Sequence, residues 1–384
     1  MMQEAFASYP VATTRREEVC DVLGLPFDPD HWNDWRWQMR HRLTRLDQFE
    51  KLLRLTEAER RGLLLASEKF SVAVTPEFAT LIDPHDPHCP IRLQVIPHEH
   101  ELVVSPGDMT DPCGEDGASV VEGLVHRYPD RVLFLVLDTC AAYCRYCTRS
   151  RLVSQGELEP LGRRIEAALA YLQQHTEVRD VLLSGGDPLL MSDHTLDQLL
   201  GRLRAIDHID FLRIGTRIPG FLPQRITPEL VRVLRKHRVW LSLHFCHVKE
   251  LTPEVAEACD LLADGGIPLG CQTVLLKGVN DDAETLRDLF HGLLKIRVRP
   301  YYLYQCDPVL GTGHLRTTVE KGLDLMAQLR GHTTGYAVPT YVIDAPGGGG
   351  KVPIQKETLL GHEDGVWSLR NWQGQTYTYE DVER

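Results

Sequence analysis

The chain lacks long apolar runs, tandem repeats, low-complexity tracts and an excess of basic charge, and each absence excludes a class of protein. Its longest apolar stretch, Val132 to Leu137, is far short of the roughly 20 residues a helix needs to cross a bilayer, so no membrane partner is expected. Met1 to Cys20 carries Glu4, Arg15, Arg16, Glu17 and Glu18 and no apolar core, so it does not read as a secretory leader and a cytoplasmic location is expected. The 42 Lys+Arg against 54 Asp+Glu leave a net charge of −12, which argues against a nucleic-acid partner. Paired cysteine spacing is also missing. The ten cysteines are scattered apart from one trio, unlike a secreted disulfide framework. In a reducing compartment such a trio points to a metal, a cluster or catalysis.

What is present is ordinary globular material, 384 residues with 43% hydrophobic and 25% charged content, enough for two domains or one large one with extensions. From His31 to Phe70 the spacing of Leu43, Leu46, Phe49, Leu52 and Leu53 predicts amphipathic helix. Prolines 76, 84, 87, 90, 97 and 106 then mark Ser71 to Gly117 as an irregular connector. Six strand-type runs follow: Val132 to Leu137, Val181 to Ser184, Leu212 to Thr216, Trp240 to Phe245, Leu269 to Leu276 and Pro300 to Gln305. A helical stretch separates each from the next, and two of these open with Thr-Pro-Glu at Thr227 and Thr252, an N-cap hydroxyl followed by proline and an acid. Strands alternating with helices predict an α/β fold with parallel pairing, and six units predict an open or partial (βα)6 barrel. Three parts are expected: a helical extension and connector over 1–117, the barrel over 118–310 and a C-terminal segment over 311–384. Chemistry belongs at the C-terminal ends of such strands.

The first run leads into Cys140, Cys144 and Cys147, a C-x3-C-x2-C loop. A structural zinc normally takes four protein ligands, and Cys113 lies apart with no C-x2-C of its own. Three thiolates suit a [4Fe–4S] cluster with its fourth iron open. The alternatives are buried structural cysteines or a zinc-stabilised or redox-sensing binding protein. Ser184-Gly185-Gly186-Asp187 ends the second run, where adjacent glycines let backbone approach a ligand and bare N–H groups receive its carboxylate, although the same residues make an ordinary turn. Near the C-terminus, Asp344-Ala345-Pro346 and four glycines precede Lys351. This is no phosphate-binding P-loop, because Ala345 and Val352 stand where glycine and Ser or Thr are required. Lys351 is either a surface lysine on a flexible loop or an amine presented into a pocket, where a desolvated lysine can form a Schiff base.

The cysteine loop and its flanks, His126-Arg127-Tyr128-Pro129-Asp130-Arg131 and Thr148-Arg149-Ser150-Arg151, resemble the radical S-adenosylmethionine (SAM) superfamily and, more narrowly, the lysine 2,3-aminomutase family. The resemblance runs from Trp32 to Trp372-Gln373-Gly374. It implies a [4Fe–4S] cluster on Cys140, Cys144 and Cys147, with SAM near Ser184, Gly185, Gly186, Asp187, His244 and Gln272. It makes Lys351 the catalytic residue that carries pyridoxal 5′-phosphate (PLP), with Arg127, Tyr128 and Arg131 on its phosphate side. Arg149 would meet the substrate carboxylate, and Asp307 and Asp344 the side-chain ammonium of an amino-acid substrate. The implied reaction is L-lysine to β-lysine by 1,2-migration of the α-amino group, fed by an external one-electron reductant. The alternatives within the family are an arginine enzyme and a lysine isomerase serving translation-factor modification. A homo-oligomer, dimer or tetramer, is implied as well. Two positions depart from the family pattern, Cys246 and Cys271, each where asparagine is usual. No cysteine follows Cys306, so no structural zinc is expected.

Overall fold

The computed structural model describes residues 15–153 and 159–382, so most of the stretch read for a secretory leader lies outside the described residues. Ten strands form one sheet in sequence order: β1 (Ser119–Val121), β2 (Leu124–Tyr128), β3 (Arg131–Leu137), β4 (Asp180–Gly185), β5 (Phe211–Thr216), β6 (Val239–His244), β7 (Leu269–Leu275), β8 (Arg299–Gln305), β9 (Thr340–Ala345) and β10 (Gly350–Pro353). The strands from β3 to β9 pair in parallel, while β1, β2 and β10 are antiparallel additions at the two edges. The six runs expected from the sequence are β3 to β8, each within one residue at either end. The sheet continues beyond them: the helix Val319–Leu329 crosses over to a seventh parallel strand, β9, past residue 310.

Sequential order with right-handed crossovers places the helices on one face and leaves the other to curl around an interior. The two-residue side-chain period sorts each strand accordingly. Val181, Leu183, Leu212, Ile214, Leu241, Leu243 and Leu303 are buried in the core, with Leu196, Leu199, Leu203, Leu230 and Leu234 from the helices among its members. Their neighbours Leu182, Ser184, Arg213, Gly215, Ser242, His244 and Tyr302 line the interior cavity. The two Thr-Pro-Glu signals cap as expected, Thr227 accepting from the Leu230 N–H at 3.2 Å and Thr252 from that of Val255 at 3.3 Å.

The extension consists of short helices between Arg16–Leu23 and Glu57–Lys69. The proline-rich connector is irregular apart from the short helices Pro76–Ala79 and Pro90–Val95 and two 3-10 turns, yet it is built into the core, with Val74, Phe78, Ile82, Ile91 and Val95 fully buried. After β10 a separate three-stranded sheet, β11 (Leu359–Glu363), β12 (Val366–Arg370) and β13 (Thr376–Glu380), ends the described chain. Among the described residues, no helix is long and apolar enough to cross a membrane.

Candidate functional site

A cavity of about 480 Å3 opens at the C-terminal ends of the parallel strands, and every candidate cluster, cofactor and substrate residue read from the sequence lines it, whereas Cys246 and Cys271 do not. The cysteine loop enters from β3 and is held by the extension and the connector. Tyr143 N–H donates to the Ala73 carbonyl at 3.0 Å, Arg145 N–H to that of Gln94 at 2.9 Å, and the Arg42 guanidinium to that of Cys140 at 2.7 Å. Arg145, inside the loop, is itself paired with Glu101 at 2.5 Å. The extension, through Arg42, and the connector, through Ala73 and Gln94, therefore fix the loop's backbone.

The glycine pair after β4 serves this same loop. A Cβ on Gly185 would lie 2.2 Å from the Leu137 carbonyl oxygen, and one on Gly186 2.3 Å from that of Thr139. The expectation of bare N–H groups is not met, because Gly186 N–H donates to Leu137 at 2.5 Å and Asp187 N–H to Thr139 at 2.9 Å. Close approach is required, as read from the glycines, but the partner is protein backbone. Asp187 is likewise engaged: its carboxylate accepts from Thr216 Oγ1 at 2.8 and 2.9 Å and from Arg217 N–H at 2.8 Å. Burial pushes its pKa up to about 6.

Cys140, Cys144 and Cys147 are free of disulfides and line the cavity together. Burial, with the Asp187 carboxylate and then the neighbouring sulfurs adding, raises the Cys140 thiol well above its usual value, and burial pushes Cys147 up to about 11. Both are therefore thiols until a cation draws off their protons, as iron does. Three cysteines lining one cavity, with no disulfide between them, fit a cluster with one open iron. Behind them, Arg217 sends Nη1 to Cys144 Sγ at 2.9 Å and to Tyr146 OH at 2.5 Å, and Nη2 to Glu250 at 2.8 Å and Gln94 at 3.0 Å. His244 and Gln272 are register partners on β6 and β7. The His244 ring lies against Tyr146, and burial followed by the Arg217 charge holds its pKa well below the usual value, so it is neutral. Cys246 takes part here, its sulfur 3.1 Å from Tyr146 OH and 3.3 Å from His244 Nε2, whereas Cys271 faces the Gln272 carbonyl at 3.5 Å.

Across the cavity, the β9–β10 hairpin sets Lys351 directly opposite Asp344. Lys351 Nζ lies 3.2 Å from the Asp344 carboxylate, which also accepts from Arg127 at 3.1 Å. Tyr128 OH accepts from the Lys351 N–H at 3.0 Å, and the Arg131 guanidinium sits 4.6 Å from the Tyr128 ring centre. An amine beside two guanidiniums and a phenol suits a phosphate-bearing aldehyde such as PLP. Gly347 and Gly348, both at positive φ, lie against Gly114, where a Cβ would come within 2.9 Å of Gly348.

Arg149 is held by Glu115, at 2.6 Å from Nη2 and 3.0 Å from Nε, and by Ser184 Oγ at 3.2 Å. Asp307 stands nearby with its pKa pushed up to about 7, by burial first and then by Asp344. Sequence reasoning missed Glu115, Tyr146, Arg217 and Glu250. Tyr146 lies within the cysteine loop and Arg217 one residue past the end of β5, positions that mark both as candidates. Glu115 and Glu250 carry no local signal.

Residues 326–384 match the family model of lysine-2,3-aminomutase, and residues 134–290 that of the radical SAM superfamily. The L-lysine 2,3-aminomutase of Clostridium subterminale is 50% identical over 91% of this chain and 84% of its own length. That of Fusobacterium nucleatum is 48% identical over 92% and 84%. The glutamate 2,3-aminomutase of Clostridioides difficile is 40% identical over 96% and 86%.

Proposed function

The chain belongs to the lysine 2,3-aminomutase family of the radical SAM superfamily, and from that membership we propose that it converts L-lysine to β-lysine by moving the α-amino group to the β-carbon. The family's cofactors are a [4Fe–4S] cluster, SAM and PLP. When bound, the cluster supplies one-electron chemistry on SAM, and PLP supplies the π-bond through which nitrogen migrates. The observation that carries the reading is the single cavity in which three cysteines face a lysine flanked by arginines and two aspartates.

In this reading Cys140, Cys144 and Cys147 hold iron. Ser184, Gly185, Gly186, Asp187, His244 and Gln272 form the SAM side. Since the N–H groups of Gly186 and Asp187 are taken, Ser184 Oγ already accepts from Arg149 and the Gln272 amide oxygen from Tyr301 OH, that side offers SAM the Ser184 O–H and the Gln272 amide N–H as side-chain donors. Lys351 anchors PLP, with Arg127, Tyr128 and Arg131 toward its phosphate. Arg149 orients the substrate carboxylate, and Asp307 and Asp344 receive the ε-ammonium, since burying that cation unpaired is costly. With a pKa near 7, Asp307 is partly protonated in the empty site and gives up its proton as the ammonium arrives. Two acids at this end favour a basic substrate over glutamate.

The electron comes from an external one-electron reductant, and the unpaired cysteines fit the cytoplasm. A homo-oligomer, dimer or tetramer, fits the C-terminal sheet, where Leu359, Tyr377 and Tyr379 are more than half exposed. The test is anaerobically reconstituted protein supplied with SAM, PLP, a reductant and, in parallel, L-lysine, L-arginine or L-glutamate, read by NMR. β-Lysine formed faster than either alternative product is expected; unchanged L-lysine overturns the assignment.

A further inference from the structure

The cysteine trio has one side-chain hydrogen-bond donor among the described residues, and it is a buried cation. Arg217 is 8% exposed and directs Nη1 at Cys144 Sγ, 2.9 Å away. Cys147 takes a hydrogen bond from the backbone N–H of Arg149 and feels that residue's charge without a side-chain hydrogen bond. The guanidinium cannot turn away. Phe221 covers it with its ring centre 4.0 Å from Cζ, while Glu250 and Gln94 fix Nη2. Glu250, fully buried, is anchored in turn by the N–H groups of Cys246 and His247 at 2.8 and 2.9 Å. The charge pair is thus oriented, with its positive end toward the sulfur and its negative end behind.

Hydrogen bonds to sulfur and local net charge are two of the levers by which a protein sets an iron–sulfur potential. A positive group donating to a cluster ligand withdraws electron density and stabilises the reduced cluster, which carries one more electron. We propose that Arg217, acting through Cys144, raises the reduction potential of the [4Fe–4S] cluster, and that Glu250 limits that effect by balancing its charge. Arg217 is a positioning residue in this role, since it reaches the cluster only through a ligand. The balance is one electron from the external donor to the oxidised cluster, with no proton moved, because a guanidinium stays protonated throughout. The proposal rests on the cluster's seat at the three cysteines.

The experiment is an EPR-monitored redox titration of anaerobically reconstituted full-length protein without SAM or substrate, alongside iron analysis. Arg217→Gln should make reduction about tenfold less favourable, a fall of about 59 mV for a one-electron couple. Arg217→Lys, which keeps the charge but loses the planar fork, should fall between. Glu250→Gln should shift the potential upward. Unchanged potentials at full iron content in the two Arg217 variants overturn the proposal. If Arg217→Gln fails to hold iron, Arg217→Lys and Glu250→Gln decide it by the same signs. Failure of the underlying reading looks different: wild type without four irons, or Cys144→Ala retaining all of them.

Discussion

On the cysteine side of the cavity the charged pair Arg217–Glu250 has side chains 9% and 0% exposed and only Arg217 reaches the cavity wall, whereas on the lysine side Lys351, Arg127 and Arg149 and their partners Asp344 and Glu115 all line it. The first arrangement is satisfied by protein groups before any ligand arrives, apart from the buried Arg217 Nε, which has no partner among the described residues. The second supplies resident carboxylates that a phosphate or an amino-acid carboxylate must displace or share. Leaving a buried guanidinium unpaired costs several kcal/mol, so the empty lysine side needs those acids, and binding there is an exchange of partners. The chemistry of each side agrees with this difference. A cluster resides permanently, while substrate comes and goes at every turnover.

The largest expected effect tests the lysine side. Lys351→Ala should remove the absorbance of bound PLP and lower turnover on the order of 10^4-fold, as when one member of a group acting as a unit is lost. A surviving band moves the attachment elsewhere and dissolves the contrast between the two sides. Next is Asp307→Asn, which leaves the substrate ammonium short of a charge and should lower kcat/KM about 100-fold, within the 2 to 5 kcal/mol typical of a truncated buried charge pair. The acid also sets a pH dependence. Its pKa of about 7 in the empty site means kcat/KM for L-lysine rises with pH through that value. For stability the sign is opposite. The folded pKa exceeds the ordinary carboxylate value of 3.8, so the group's stabilising contribution is full below about pH 4 and is lost as pH rises through 7. Thermal melts of Asp307→Asn should therefore lie above wild type at pH 8, by less at pH 5, and lose that advantage below about pH 4.

Glu115→Gln addresses the exchange itself. Freed from competition, Arg149 should bind the substrate carboxylate more tightly and KM should fall about fivefold, roughly 1 kcal/mol, the scale of a partly exposed ion pair. A rise in KM would mean that Glu115 aims the guanidinium, making the lysine side as preorganised as the cysteine side.

The same contrast governs what could be read from the chain. All three sulfurs fall within Cys140 to Cys147, a loop short enough for spacing alone to carry the chemistry. On the lysine side, Arg127 meets Asp344 across 217 positions and Tyr128 meets Lys351 across 223, so no local pattern joins them and only the family resemblance did. The six strands β3 to β8 were legible because two-residue alternation and capped helices repeat between them. Strand β9 was not, since Tyr341, Val342 and Ile343 make too short an apolar run to stand out among the flanking polar residues. Gly185 and Gly186 signalled a close approach, but glycine cannot say whether ligand or backbone is approaching. Arg217, Glu250 and Glu115 are single charges whose partners come from other elements.

The smallest effect separates packing from electrostatics on the cysteine side. Thr227 and Thr252 cap helices in the same way, but Thr252 is buried two residues after Glu250, while Thr227 precedes the helix Pro228–Lys236 elsewhere on the scaffold. Replacing either by Ala should cost about 1 kcal/mol of stability, read from denaturant unfolding. Neither change touches the guanidinium or the sulfur, so the cluster potential should stay at its wild-type value in both. A shift in Thr252→Ala alone, comparable to that of Arg217→Gln, would show that the orientation of Glu250 depends on the following helix. The cysteine side would then owe its fixed geometry to helix packing as much as to the Arg217–Glu250 pair.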